Sequence, residues 1–189
     1  MKRLGAVLAG LALLASCGSS NNGGNNNGPV GSVGGNALTI NDAIYALDSD
    51  NFLFLVASDR SGLCSLYTSS TPPTGKSTVL IGGFVNFNGQ ALVAPVTGTY
   101  NWFSTQAVPT VAGKYVLGEF IVADGCNTTS QVNATGGTVT LNTLGPNTSG
   151  SHTTGSFSLT FVADSLNGNV DATYCAALLA NNQSPVACP

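Results

Sequence analysis

Charge is scarce in this chain: five Lys and Arg and eight Asp and Glu make up only 7% of its 189 residues. Affinity for nucleic acid rests on many Lys and Arg neutralising phosphates, so that class of partner is excluded. His152 is the only histidine and Glu119 the only glutamate, which leaves little for acid–base chemistry. No Cys-x-x-Cys pair and no Cys/His cluster occurs, so the usual zinc and redox motifs are missing, and neither a metal nor a cofactor is expected. The G-x-S-x-G elbow of many serine hydrolases is absent as well. The longest N-terminal apolar run, Leu4 to Leu14, is too short to span a bilayer as a helix. Abundant instead are Gly, Ser, Thr and Asn, so solubility comes from hydroxyls and amides rather than from ions.

That short run has a basic start, Met1-Lys2-Arg3, and ends Leu13-Leu14-Ala15-Ser16-Cys17. The pattern resembles the signal of a bacterial lipoprotein, which implies cleavage before Cys17, a lipid on its thiol and an acylated amino group. An ordinary secretory signal prefers an A-x-A-like ending, which Ala15-Ser16-Cys17 does not supply. Gly18 stands where an aspartate would signal inner-membrane retention, so the resemblance implies an outer-membrane anchor. With residues 1–16 removed, Arg60, Lys76 and Lys114 face eight carboxylates, which leaves the mature chain clearly acidic.

The expected organisation is a signal peptide (1–16), a lipidated cysteine with a Gly/Asn/Ser tether (17–36) and one domain (37–189). The tether holds no periodicity and too little apolar surface to offset the entropy of ordering it. Apart from Cys17, the cysteines are Cys64, Cys126, Cys175 and Cys188, an even number that reads as two disulfides in an exported chain. Three pairings exist, of which Cys64–Cys126 with Cys175–Cys188 is the one expected.

From Ala37 onward, short runs rich in β-branched and aromatic residues alternate with turn clusters, the pattern of strands. Strands are expected at Ile44–Leu47, Phe52–Ala57, Leu63–Thr68 and Lys114–Ala123, with a Pro-rich loop at Thr71–Gly75. Asn88-Gly89 and Asn167-Gly168 are expected to turn two hairpins, since Asn-Gly tolerates the positive φ of type I′ turns. Val139 and Leu141 alternate with Thr138 and Thr140, and Phe157, Leu159 and Phe161 with Ser158 and Thr160, so each strand has one apolar and one hydroxyl face. A trace of helix is expected only at Ala176–Ala180. The fold class is therefore all-β: an antiparallel β-sandwich or partly open barrel of about eight to ten strands.

The strings SDRSGLCSLY, GTYNWF, ADGCNTTS, GGTVTL, GSFSLTF and GNVDATYC, in that order, are similar to those of a family of exported bacterial domains with no assigned activity. The likeness runs from about Val56 to Cys175. It implies an exported β-domain and carries over no catalytic residue.

Among residues that could carry chemistry, His152 lies in the Gly145–Thr154 segment and reads as a solvated loop histidine rather than a triad base. Glu119 with Asp124 is the only suggestion of a glycosidase pair, expected on a wet strand face near Lys114 or Arg60. Asp48-Ser49-Asp50-Asn51 opens like a calcium loop but lacks the glycine and the closing glutamate, so it reads as a turn. Asn127, Asn133 and Asn147 fit N-x-S/T, a glycosylation signal that a bacterial lipoprotein is not expected to use. Tyr100 and Trp102 share one strand face: exposed they would contact a ligand, and otherwise Trp102 fills the core, the reading favoured here. The expected role is non-enzymatic, binding or structural work at the cell envelope with a polysaccharide or surface protein as partner. The alternative is an envelope polysaccharide hydrolase using Glu119 with an aspartate.

Overall fold

The computed structural model describes residues 29–104 and 109–180. Cys17, its signal and Cys188 lie outside them. Twelve strands are formed: β1 (Pro29–Val33), β2 (Asn36–Thr39), β3 (Asp42–Leu47), β4 (Leu53–Ser58), β5 (Lys76–Phe87), β6 (Leu92–Val93), β7 (Gly98–Trp102), β8 (Gly113–Asp124), β9 (Asn127–Asn133), β10 (Gly136–Thr143), β11 (His152–Phe161) and β12 (Asp164–Tyr174). Two short helices accompany them, α1 (Leu63–Thr68) and α2 (Ala177–Ala180).

Eight strands close a barrel in the order β11-β10-β7-β8-β5-β4-β3-β12, with β12 returning to β11. Closure removes the exposed edges that an open sheet would present. Six of the neighbouring pairs are antiparallel, but β7–β8 and β12–β3 are parallel. The barrel is thus two four-stranded walls, β3-β4-β5-β8 and β7-β10-β11-β12, joined at two parallel seams. The β1–β2 hairpin adds to β12 at Gly31↔Leu166, and β9 extends β8 beyond the end of β7.

The interior is filled by side chains. Tyr45, Leu53, Phe84, Tyr100, Phe120, Phe161 and Leu166 are all buried in one cluster. Phe84 meets Tyr100 edge-on at 5.3 Å, and Phe120 meets Phe161 at 6.2 Å. One interior space of about 20 Å³ is walled by Leu55, Phe84, Val116, Phe157 and Leu159. A void that small and that apolar stays dry and holds no ligand.

Several expectations are corrected. Leu63–Thr68 is a helix, because Leu63 and Tyr67 share a face at i, i+4 spacing and both are buried there. The Asp42 carboxylate accepts from Leu63 N–H at 2.8 Å, satisfying an amide at the helix start. Residues 29–36 of the expected tether belong to the fold, since Val30 and Val33 are buried in the barrel cluster. Around Asn88-Gly89 a hairpin does form, but through a four-residue loop: Asn88 Oδ1 accepts from the amides of Gln90 and Ala91. Its second strand is only the two residues Leu92–Val93.

Asn167-Gly168 is not a turn. It sits inside β12, and the chain reverses at Val162-Ala163. Gly168 is there for close packing: a Cβ would lie 2.6 Å from Val30 Cγ1 and 3.1 Å from the Phe157 ring. The expected disulfides are corrected too. Cys64 pairs with Cys175, 111 residues away, with a Cα–Cα distance of 5.6 Å. Cys126 is likewise disulfide-bonded.

The Asp59-Arg60-x-x-Leu63-Cys64 segment of the family resemblance is structural. Asp59 accepts from both the amide and the hydroxyl of Thr78 on β5. Arg60 donates to the carbonyls of Thr74 and Gly75. Leu63 is buried and Cys64 carries the disulfide, so this run staples the β4–α1 corner to the barrel wall.

Candidate functional site

The outer surface differs sharply between the two walls. On β7-β10-β11-β12, period-two alternation sends apolar residues inward and hydroxyls or amides outward. Strand register lines the outward residues into rows. Asn101, Thr138, Ser158 and Asn167 form one, and Thr99, Thr140, Ser156 and Asn169 form the next. Neighbouring positions in a row are about 4.8 Å apart and the rows about 6.7 Å, as strand geometry requires. Thr99 and Thr140 hydroxyls hydrogen-bond across the β7–β10 pair at 3.1 Å. The titratable residues of this face, His152 and Asp171, are paired with each other at its edge, Nδ1 to Oδ1 at 2.8 Å. His152 therefore heads strand β11 rather than sitting in a loop. Among the described residues no hydroxyl hydrogen-bonds its Nε2.

On the other wall most of the outward residues are apolar, Glu119 on β8 being a charged exception. Part of this face is covered: Ile44, Val56, Val79 and Ile121 pack under α1 and α2, with Leu63, Tyr67, Cys175 and Leu178. Burial of the Tyr67 phenol pushes its pKa up to about 12. Farther along β5 the cover ends, and a cleft of about 370 Å³ opens between Phe52, Phe87, Leu92, Phe103, Pro109 and Leu117. Gly83 makes room for one wall of it, since a Cβ there would come within 2.7 Å of the Phe52 ring.

The expected site residues fall as follows. Tyr100 is buried, its hydroxyl donating to Val96 O at 2.7 Å and accepting from Val96 N–H at 3.0 Å, so it offers no contact surface. Burial also raises its phenol pKa. Trp102 is half-buried against the barrel cluster. Glu119 lies on β8 and accepts from Gln131 Nε2 on the adjoining β9 rather than meeting Lys114 or Arg60. Asp124 is five residues along the same strand, about 16 Å at strand rise and on the opposite face. Glycosidase carboxylates stand about 5–9.5 Å apart, so these two are not brought together.

Other carboxylates have local tasks. Asp48 accepts from the amides of Asp50 and Phe52 and closes the turn as expected, and Asp164 accepts from Gly34 N–H. Asn147 exchanges two hydrogen bonds with the Leu47 backbone, which ties its amide nitrogen into the fold. Among the described residues no group of three metal-binding side chains exists, and no helix is long and apolar enough to cross a membrane.

No family model matches the chain, no curated protein matches it, and no solved structure matches it. The strand-by-strand alternation visible in the sequence could have found half of the polar face. The cleft could not be found that way, because Phe52, Phe103 and Leu117 come from three separated stretches.

Proposed function

We propose that this chain is a lipid-anchored, non-enzymatic binding module of the bacterial outer envelope whose ligand is an uncharged polysaccharide. Acylation at Cys17 supplies the anchor, and the hydroxyl-and-amide face of β7-β10-β11-β12 supplies the contact surface. The observation that carries the reading is the pair of four-residue rows, in which every side chain is a neutral donor or acceptor. Ser, Thr and Asn lose less rotamer entropy on ordering than Lys or Glu, so a face built from them binds a hydroxylated polymer at lower cost. Neutrality also avoids the desolvation of ions that a charged face would suffer. The barrel supports an external site, since Tyr45, Phe84, Tyr100, Phe120 and Phe161 are packed inside it.

The test uses the oxidised mature chain carrying Cys17→Ser, co-sedimented with an insoluble neutral surface polysaccharide. Saturable binding is expected, weakened about tenfold or more in a Ser158→Ala, Asn167→Ala double variant whose melting is unchanged. Equal binding by that variant, or none by the parent, overturns the proposal. Acylation is checked separately by metabolic lipid labelling, which Cys17→Ser is expected to abolish.

A further inference from the structure

Within the polar wall the β11–β12 pair stands apart. Its ten partners run from His152↔Thr173 to Phe161↔Asp164 without a bulge, whereas β7 meets β10 at four positions and β10 slips against β11 between Leu141 and Thr143. Alternation leaves five outward pairs: His152↔Thr173, Thr154↔Asp171, Ser156↔Asn169, Ser158↔Asn167 and Thr160↔Ser165. Their inward neighbours Phe157, Leu159, Leu166 and Val170 are buried, which fixes that orientation. The strip is eight residue steps long, about 27 Å at strand rise, and two strands wide. Its central side chains are also unengaged. Among the described residues, those of Ser156, Ser158, Thr160 and Asn169 hydrogen-bond to no other protein group, while the Thr99 hydroxyl pairs with Thr140 and that of Thr143 with Thr154.

We propose that the polysaccharide lies lengthwise on this strip, as a stiff, extended, uncharged chain with equatorial (β) links between its sugars. The inference rests on the binding-module reading above and names the shape and direction of its ligand. The rows supply the chemistry, but curvature decides the axis. An eight-stranded barrel is just wide enough for side chains to fill it, so its wall is strongly convex around the girth. The outward side chains of one row therefore splay apart from β7 to β12, and a straight chain laid along a row soon leaves the surface. Along the strands the surface falls away far less, and β11 and β12 both present hydroxyls or amides at intervals of about 6.7 Å. Equatorial links draw a sugar chain out as a flat ribbon, which keeps one edge of hydroxyls on such a strip. Axial (α) links coil the chain and lift it away.

The experiment is co-sedimentation of the oxidised mature Cys17→Ser chain with cellulose and with granular starch, two neutral glucose polymers that differ in linkage. Binding to cellulose is expected to exceed binding to starch by about tenfold or more, as the loss of a few hydrogen bonds requires. Soluble cello-oligosaccharides should compete more strongly as they lengthen, levelling off once they match the strip at about 27 Å. The Ser158→Ala, Asn167→Ala variant should bind cellulose about tenfold more weakly, and Thr99→Ala, Asn101→Ala, at the far ends of the same rows, less than about twofold more weakly. Both should melt like the parent, since these side chains are exposed. Equal loss in the two variants, or starch bound as well as cellulose, overturns the inference and leaves the binding module standing. Binding to neither polymer overturns the inference as well, and the module reading falls with it only if the neutral surface polysaccharide is also unbound.

Discussion

The two walls of the barrel meet the same inner demand and solve the outer one differently. Along β10, β11 and β12 the chain alternates apolar with hydroxyl or amide residues, so the outer face is wetted and needs no cover. Along β3, β4 and β5 it is apolar on both faces: Leu80 and Phe84 point into the barrel while Val79 and Val85 are buried outside it. That second wall must be roofed, and α1, α2 and the Cys64–Cys175 bond provide the roof over half of it. The comparison teaches that a strand apolar on both faces needs a partner outside the sheet, and the uncovered cleft is where this wall has none among the described residues.

The largest expected effect removes the staple that fixes the roof. A Cys64→Ser, Cys175→Ser variant should lose about 2–5 kcal/mol in denaturant unfolding, because the bond closes a loop of 111 residues. Hydrogen exchange should rise first in α1 and α2 and leave β10–β12 protected. Uniform loss of protection would show that the two walls do not differ in how they are held.

A smaller effect separates the walls by pH. Tyr67 sits under the roof with its pKa raised to about 12, against an unfolded value near 10. The folded state holds the phenol neutral, so its contribution is intact below pH 10 and lost as pH climbs from there through 12, about 2–3 kcal/mol in all. Tyr67→Phe should flatten that alkaline slope in urea titrations. A slope unchanged by the substitution would assign the loss to Tyr45 and Tyr100 inside the barrel, whose phenols burial also pushes up.

The smallest effect belongs to the polar wall. Ser158→Ala with Asn167→Ala should move stability by no more than about 0.5 kcal/mol per site, as for exposed residues without structural partners in the core. A larger cost, read as a shifted urea midpoint, would mean that the hydroxyl rows hold the fold together.

How much of this was legible beforehand follows the same division. Val139 and Leu141 against Thr138 and Thr140 announce β10 directly, and Lys114–Ala123 falls within β8. Local periodicity suffices where one face is wet. It fails where both faces are buried or where a residue serves a distant neighbour. Leu63 and Tyr67 have helical spacing, yet their β-like composition hides it, and Gly168 is set by Val30 rather than by a turn. The polar rows depend on which strands become neighbours, and β7 joins β10 only after β8 and β9 have intervened.

One consequence concerns the order in which the chain is made. Cys64 bonds to Cys175 and skips Cys126. Whether it leaves a ribosome or a translocon, a chain emerging N-terminus first offers Cys126 to Cys64 long before Cys175 appears. Oxidation at that stage joins the wrong pair, and the last wall cannot close until β12 arrives. Any Cys64–Cys126 bond made at that stage would have to be resolved by thiolate exchange, so oxidative refolding of the reduced chain is expected to quicken with a catalyst of disulfide reshuffling.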